Sequence, residues 1–329
     1  MSETIYCPRN LHDVSAAGFI NEIWRVKDVA HITLDFSNLG WVYPSGALGL
    51  AVGIRNITKQ RFKKQLRTSV SGHRSNEACS YLQHFGFFKF VGIDAGNPVN
   101  STYGNTNYIP IKSIQKSELE ESENVLQVEI ENRSNELVKI LYPNSRDAYA
   151  ADFLGYCMRE IIRNVFEHSK AKECFMMAQK WADGFAEISI SDEGIGIAES
   201  LSAAHNIANK RSAIRMALLP GISSEVAPLN EDRWQNSGFG LYVLSQLGKQ
   251  LGGFSIVSND VMLSLRNEQD QVIITPSKGT TVNLRVNTND ADYLPNIVKN
   301  VITKGEELAK TIPGARPMAS KASKSLSIW

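Results

Sequence analysis

Apolar and polar positions alternate with a period of two at Ile32-Thr-Leu-Asp-Phe36, and Ser37, Asn38 and Gly40 close the run, which predicts a strand ending in a turn. Ser45-Gly-Ala-Leu-Gly-Leu-Ala-Val then opens a small-residue helix running towards Gln60, with Ser45 as its N-cap. A second helix around Glu77 to Phe85 stops at Gly86. Together these elements predict a small α/β domain over residues 1–97. Between Gly96 and Asn107 the chain turns to Asn, Ser, Thr, Gly and Pro, the mark of a loop or boundary. Tyr108-Ile-Pro-Ile follows as a short extended segment, and Pro110 assigns it to a sheet edge. Glu118 to Asn135 is acidic and rich in Asn and Ser without a firm period, and reads as a solvated helix or connector within 98–144.

The strongest helical pattern runs from Asp147 to Ser169. Strands are expected at Cys174 to Gln179, Phe185 to Ser191, Phe254 to Ser258, Val261 to Arg266 and Thr280 to Val286, with a helix from about Leu241 to Leu251. Two helices on an antiparallel or mixed sheet predict an α+β sandwich over 145–290. Residues 291–329 are expected to form a C-terminal helix and then, past Lys310, a disordered tail rich in Pro, Ala, Ser and Lys.

Charge narrows the partners rather than naming them. With 35 basic against 34 acidic residues the formal charge is +1, which supplies no long-range attraction to nucleic acid or an acidic membrane. Cys7, Cys79, Cys157 and Cys174 are scattered without metal-ligand spacing, as expected of reduced, buried thiols. The start, Met1-Ser-Glu-Thr, carries no secretory pattern, and no apolar run approaches the roughly 20 residues that span a bilayer, so a cytoplasmic location is expected.

Four short segments carry candidate chemistry. In the 147–169 helix, Leu154, Met158, Ile161, Ile162 and Val165 share one face, while Glu160, Asn164 and His168 fall in an adjoining arc of roughly 80°. That places a carboxylate and a carboxamide beside the core, although polar residues flank most amphipathic stripes. Ile188-Ser-Ile-Ser-Asp192-Glu-Gly194-Ile-Gly196 delivers a carboxylate at a strand end followed by two glycines, which suits either a ligand acceptor or a plain turn. Asn236-Ser-Gly238-Phe239-Gly240-Leu241 precedes a helix, where free N–H groups and the helix dipole favour phosphate oxygens. It lacks the Gly-Lys-Ser/Thr ending of a P-loop, and no G-x-G-x-x-G follows a strand in a βαβ context. Lys278-Gly-Thr280-Thr281-Val-Asn-Leu284 is a turn entering a strand.

In this order the four segments resemble the N, G1, G2 and G3 boxes of the GHKL superfamily, which includes gyrase, histidine kinases and MutL, over about residues 145–287. The resemblance implies a Bergerat-type ATP site using ATP and Mg²⁺. It makes Glu160 the general base acting on water or an acceptor hydroxyl, and Asn164 the Mg²⁺ ligand between the phosphates. It makes Asp192 the reader of adenine over a floor shaped by Gly194 and Gly196. Gly238 and Gly240, with Phe239 and Leu241 between and after them, would form the phosphate loop, and Thr280 or Thr281 would support the aspartate. His168 is placed either near the phosphates or as a satisfied edge histidine. Ala198 to Gln235 would be the ATP lid, with Lys210, Arg211 and Arg215 near phosphate or on a solvated helix face.

The segment Leu34-Asp-Phe-Ser-Asn-Leu-Gly-Trp-Val-Tyr-Pro44-Ser45-Gly46, with Tyr81-Leu-Gln-His-Phe-Gly86, resembles a STAS domain of the anti-sigma-factor antagonist type over about residues 5–95. That resemblance makes Ser45 a possible phosphosite, although Tyr43-Pro44 stands where the family has Asp-Ser. Two functions follow. One is an ATP-binding regulatory protein, a GHKL-type serine/threonine kinase or ATPase in a partner-switch-like pathway. The other is an ATP-gated dimerising scaffold with slow hydrolysis. Both imply a protein partner or self-association.

Overall fold

The computed structural model of the chain describes residues 2–122, 124–144, 147–225, 236–266, 269–289 and 291–324. Strand β1 (Ser2–Tyr6) and the short β2 (Asn10–Leu11) lead into helix α1 (Asp13–Arg25), then β3 (His31–Asp35), β4 (Trp41–Val42), α2 (Pro44–Lys63), β5 (Arg67–Ser71), α3 (Glu77–His84) and α4 (Phe87–Phe90). β1, β3 and β5 form a parallel sheet with β3 central, and β2 pairs with β4. The alternation at Ile32 and Leu34 buries both side chains completely, as a central strand requires.

One boundary differs from expectation. Tyr43, extended at φ −109° and ψ 149°, is the N-cap of α2, and Pro44 occupies its first turn, where a ring-fixed φ is already helical and no N–H is needed. Ser45 therefore lies inside the helix, 2% exposed, with its N–H donating to Glu187 Oε1 at 2.8 Å. In this packing a phosphoryl donor has no access to it, and a phosphate there would meet a buried carboxylate.

The rest of the chain builds β6 (Tyr108–Gln115), α5 (Lys116–Glu120), α6 (Leu126–Leu141), α7 (Ala148–His168), β7 (Glu173–Lys180), β8 (Phe185–Asp192), α8 (Ile197–Leu201), α9 (Lys210–Ala217), α10 (Gly240–Leu251), β9 (Gly252–Ser258), β10 (Val261–Arg266), β11 (Gln269–Ile274), β12 (Thr280–Asn287), α11 (Leu294–Ala309) and α12 (Lys321–Lys324). Seven strands form one sheet in the order β11-β10-β9-β12-β8-β7-β6, every neighbouring pair antiparallel. The proline-bearing β6 lies at an edge, where a missing N–H breaks no interior ladder. Helix α6, whose sequence carries little period, packs along α7 and shares its core through Ile130, Leu137, Val138 and Leu141. The stretch read as a connector is thus part of the second unit's core. The whole is an α+β fold.

The sheet has two covered faces. Helices α7 and α10 pack on one, and α2 packs on β7 and β8 from the other. The apolar core of the N-terminal unit accordingly takes in Ile111, Phe175 and Met177 of the large sheet. Polar contacts pin this seam. Arg266 meets Asp13 at 2.6 Å, Asn21 donates to the Ile274 carbonyl at 2.8 Å, and Lys59 meets Glu193 at 3.2 Å. Burial would raise the Asp13 carboxyl, but hydrogen bonds from His12 and Ser255, the Arg266 charge and the Val14 N–H together hold it at about 2.

The expected disordered tail is also replaced by structure as far as Lys324. Residues 319–324 lie against α7 and α11, with Ala322 fully buried and Ser323 at 3% exposure. A Pro, Ala and Ser composition hides this because the anchoring bonds use backbone groups and partners elsewhere in the chain. Among the described residues no helix is long and apolar enough to cross a membrane.

Candidate functional site

Between α7, the end of β8, β12 and the start of α10 lies a cleft of about 900 Å³, including its open mouth. Helix α7 forms one wall. Its apolar stripe, with Leu154, Met158, Ile161, Ile162 and Val165, is buried in the core. Glu160, Asn164 and His168, spaced four apart on the same helical flank, all line the cleft. Glu160 is 5% exposed, with Arg159 at 3.4 Å and Arg163 at 3.8 Å from Oε1. The Nδ2 of Asn164 is buried and, among the described residues, has no hydrogen-bond partner. An amide left so is costly unless a ligand completes it.

Alternation along β8 sends Ile188, Ile190 and Asp192 to the cleft side. Asp192 is 2% exposed, and one carboxylate oxygen accepts the Gly194 N–H at 2.7 Å. Burial is the largest influence and raises its pKa to about 6, against hydrogen bonds from the Gly194 and Thr280 amides and the Ser169 hydroxyl. Gly194 itself is turned towards Ser169, whereas Gly196 lines the cleft. On β12, Thr280 lines the cleft and bonds Ser258 at 3.0 Å. Thr281 faces the opposite side and pairs with Ser191 at 2.7 Å. The choice between the two threonines is therefore made by the strand's period of two.

At the head of α10, Gly238, Gly240 and Leu241 line the cleft. A Cβ at Gly240 would lie 2.8 Å from Glu160 Oε2, so a side chain there would push the carboxylate from its place. Phe239 does not join the cleft: it is fully buried and packs edge-on to Tyr242 at 6.4 Å. Ser237, absent from the sequence-derived set, lines the cleft with a buried hydroxyl that has no partner among the described residues. Its only signal was its position within the glycine run.

His168 is the satisfied edge histidine. Ser224 Oγ lies 3.0 Å from Nδ1, and Asn236 bonds Nε2. Burial, then Arg163 and Arg316, lowers its pKa to about 4, so it is neutral near pH 7 and offers no positive charge to phosphate. Glu167, joined to Arg163 at 3.0 Å and Asn236 at 3.3 Å, completes this edge, and no motif marked it. On α9, Lys210 pairs with Asp260 at 2.7 Å, Arg215 with Asp270 at 3.6 Å, and Arg211 is exposed, so all three take the solvated alternative. Of the expected lid, residues 226–235 lie outside the described residues.

The arrangement presents a buried carboxylate, a carboxamide with an unpartnered N–H group, an unpartnered serine hydroxyl beside a helix start and, across the cleft, a second buried carboxylate. Such a set suits a ligand with an amino-bearing base at one end and phosphates at the other. No curated protein and no solved structure matches the chain. Residues 149–290 match the model of the family described as histidine kinase-, DNA gyrase B-, and HSP90-like ATPase, which supports a GHKL-type ATPase domain over this segment.

Proposed function

We propose that the chain is an ATP-dependent regulatory protein, a GHKL-type serine/threonine kinase or ATPase, with Glu160 as its general base. One observation carries the reading: Glu160 and Asn164 on α7, Asp192 on β8, Thr280 on β12 and the glycine start of α10 all line one cleft. Asp192 accepts the exocyclic amino group of adenine through the oxygen not engaged by Gly194. Asn164 would hold Mg²⁺ through its carboxamide oxygen, and the ion when bound would neutralise phosphate charge. The first amides of α10 and the Ser237 hydroxyl receive phosphate oxygens. Glu160 takes the proton of a water or hydroxyl as it attacks. A base at this position supports turnover rather than nucleotide gating alone.

The N-terminal unit, with its resemblance to STAS domains, supplies the regulatory part of this reading. Glu193 follows the adenine-reading Asp192 directly and meets Lys59 at 3.2 Å and Arg55 at 3.8 Å, both on α2. A protein partner bound to that unit thereby acts on the adenine end of the cleft, as a partner switch requires. Ser45, buried against Glu187, has no part in it.

Titration with ATP and Mg²⁺, run beside phosphate release and phosphoprotein detection, tests the proposal. Saturable binding with slow release of phosphate or appearance of phosphoprotein is expected. A chain that binds no ATP at millimolar concentration would refute it.

A further inference from the structure

The segment after α11 is bound at two places. The Arg316 N–H donates to the Gly221 carbonyl at 2.8 Å, and its guanidinium bonds the carbonyls of Asn236 and, at 3.0 Å, Glu225. Gly221 has φ +79°, and a Cβ there would lie 2.2 Å from the Arg316 carbonyl oxygen, so a glycine is needed for the segment to seat. Further along, the Ala319 N–H donates to Glu306 at 3.0 Å and Lys324 pairs with Glu306 at 2.7 Å. Between these anchors Ser320 accepts the Ser323 N–H at 3.2 Å, Arg159 donates to the Ala322 carbonyl at 2.7 Å, and the Tyr156 hydroxyl to the Ser323 carbonyl at 3.2 Å. These bonds leave one hydroxyl aimed at the cleft. Ser323 lines it, and its Oγ donates to Glu160 Oε2 at 3.4 Å.

Packing alone accounts for the buried Ala322 methyl and for the two carbonyls held by α7. It does not call for a hydroxyl on the carboxylate read above as the general base. We infer that Ser323 is a phosphoacceptor of the chain's own site, an assignment that rests on the ATP-dependent reading above and names its substrate. Glu160 removes the Oγ proton and Oγ attacks the γ-phosphorus of ATP. The bond from that phosphorus to the β–γ bridging oxygen breaks, and ADP leaves with the electron pair. Phosphoserine forms and Glu160 later gives its proton to water. The product carries roughly −1.5 to −2 charges beside the Glu160 carboxylate, where the two nearby guanidiniums, Arg159 and Arg163, are already shared with Glu131, Glu160 and Glu167. Phosphorylation therefore expels the segment from α7, so that the reaction occurs once per chain and ends by uncovering the cleft.

The test uses the full chain with γ-labelled ATP and Mg²⁺, followed by tandem mass spectrometry of the C-terminal peptide. Phosphate is expected on Ser323 and not on the neighbouring Ser320, Ser325 or Ser327, at a rate unchanged by diluting the protein. Label is lost in Ser323→Ala and Glu160→Gln and kept in Ser323→Thr. Without nucleotide, Ser323→Glu is expected to raise tryptic cleavage after Lys321 and Lys324 by roughly tenfold or more, because it buries a second carboxylate beside Glu160, whose guanidinium neighbours are already shared with Glu131 and Glu167. Binding and hydrolysis of ATP with Ser323 unlabelled would overturn the assignment and leave the ATP-dependent reading intact. Absence of ATP binding would overturn both. Unchanged proteolysis of Ser323→Glu would overturn the expulsion of the segment.

Discussion

The two faces of β8 and β12 are built from alternate residues of the same few positions, yet they do opposite things. On the outer face Ser191 pairs with Thr281 at 2.7 Å, Ser189 with Asn283 at 2.6 Å, and Asn283 with Ser255 at 3.0 Å, while Glu187 receives the Ser45 amide. These groups bond to one another beneath the N-terminal unit, where Ser45 Oγ and Asn56 Nδ2 alone of the seam's buried serine and asparagine atoms lack a partner among the described residues. On the inner face Ile188, Ile190, Val282 and Leu284 are apolar, and Asp192 and Thr280 mark only the cleft end. There, Asn164 Nδ2 and Ser237 Oγ remain without partners among the described residues. A polar ladder that closes on itself holds two units together. Polar atoms left open at the rim of an apolar wall await a ligand.

The largest break in this contrast is expected from Glu160→Ala on the inner side. Turnover should fall by roughly 10²- to 10⁴-fold, the range of a general base, with ATP still bound; equal turnover in the variant and the parent would remove Glu160 from that role. Asp192→Ala comes next. Loss of a charge-assisted hydrogen bond should weaken ATP binding about ten- to a hundredfold, read by calorimetric titration.

Acid should imitate that substitution. On the proposed reading Asp192 accepts the adenine amino hydrogen most strongly when ionised, and burial raises its pKa to about 6. Affinity should be full above that pH and fall as pH drops through it, by about tenfold at pH 5. Asp192→Asn should bind weakly with no such slope. The smallest effect sharpens the comparison most, since it separates adjacent residues. Thr280→Val should weaken ATP binding about threefold, whereas Thr281→Val should leave affinity alone and cost about 1 kcal/mol of stability in denaturant titration. Equal effects of the two on binding would mean that the faces are not insulated.

Much of the site was legible in the sequence because local periods carry it. The four-residue spacing of Glu160, Asn164 and His168 put all three on one helical flank, and the alternating run into Asp192 put a carboxylate at a strand end. The glycines at 238 and 240 announced a helix start, and both line the cleft. Local pattern failed where a residue's fate depended on something distant. Phe239 went to the core because α10 turns it there, and His168 lost its charge through burial, then through Arg163 and the distant Arg316. Ser45 looked like an exposed cap because nothing nearby in sequence told of Glu187.

What the sequence determined by itself is the set of elements and the chemistry at their ends, since hydrophobic period, glycine and capping act over a few residues. Tertiary structure alone decided which face of the sheet would be sealed by the N-terminal unit, and that a tail resembling disordered chain would bring Ser323 to Glu160. Those outcomes depend on contacts across more than a hundred residues, where burial and hydrogen-bond satisfaction are settled by the whole fold and leave no local period to read.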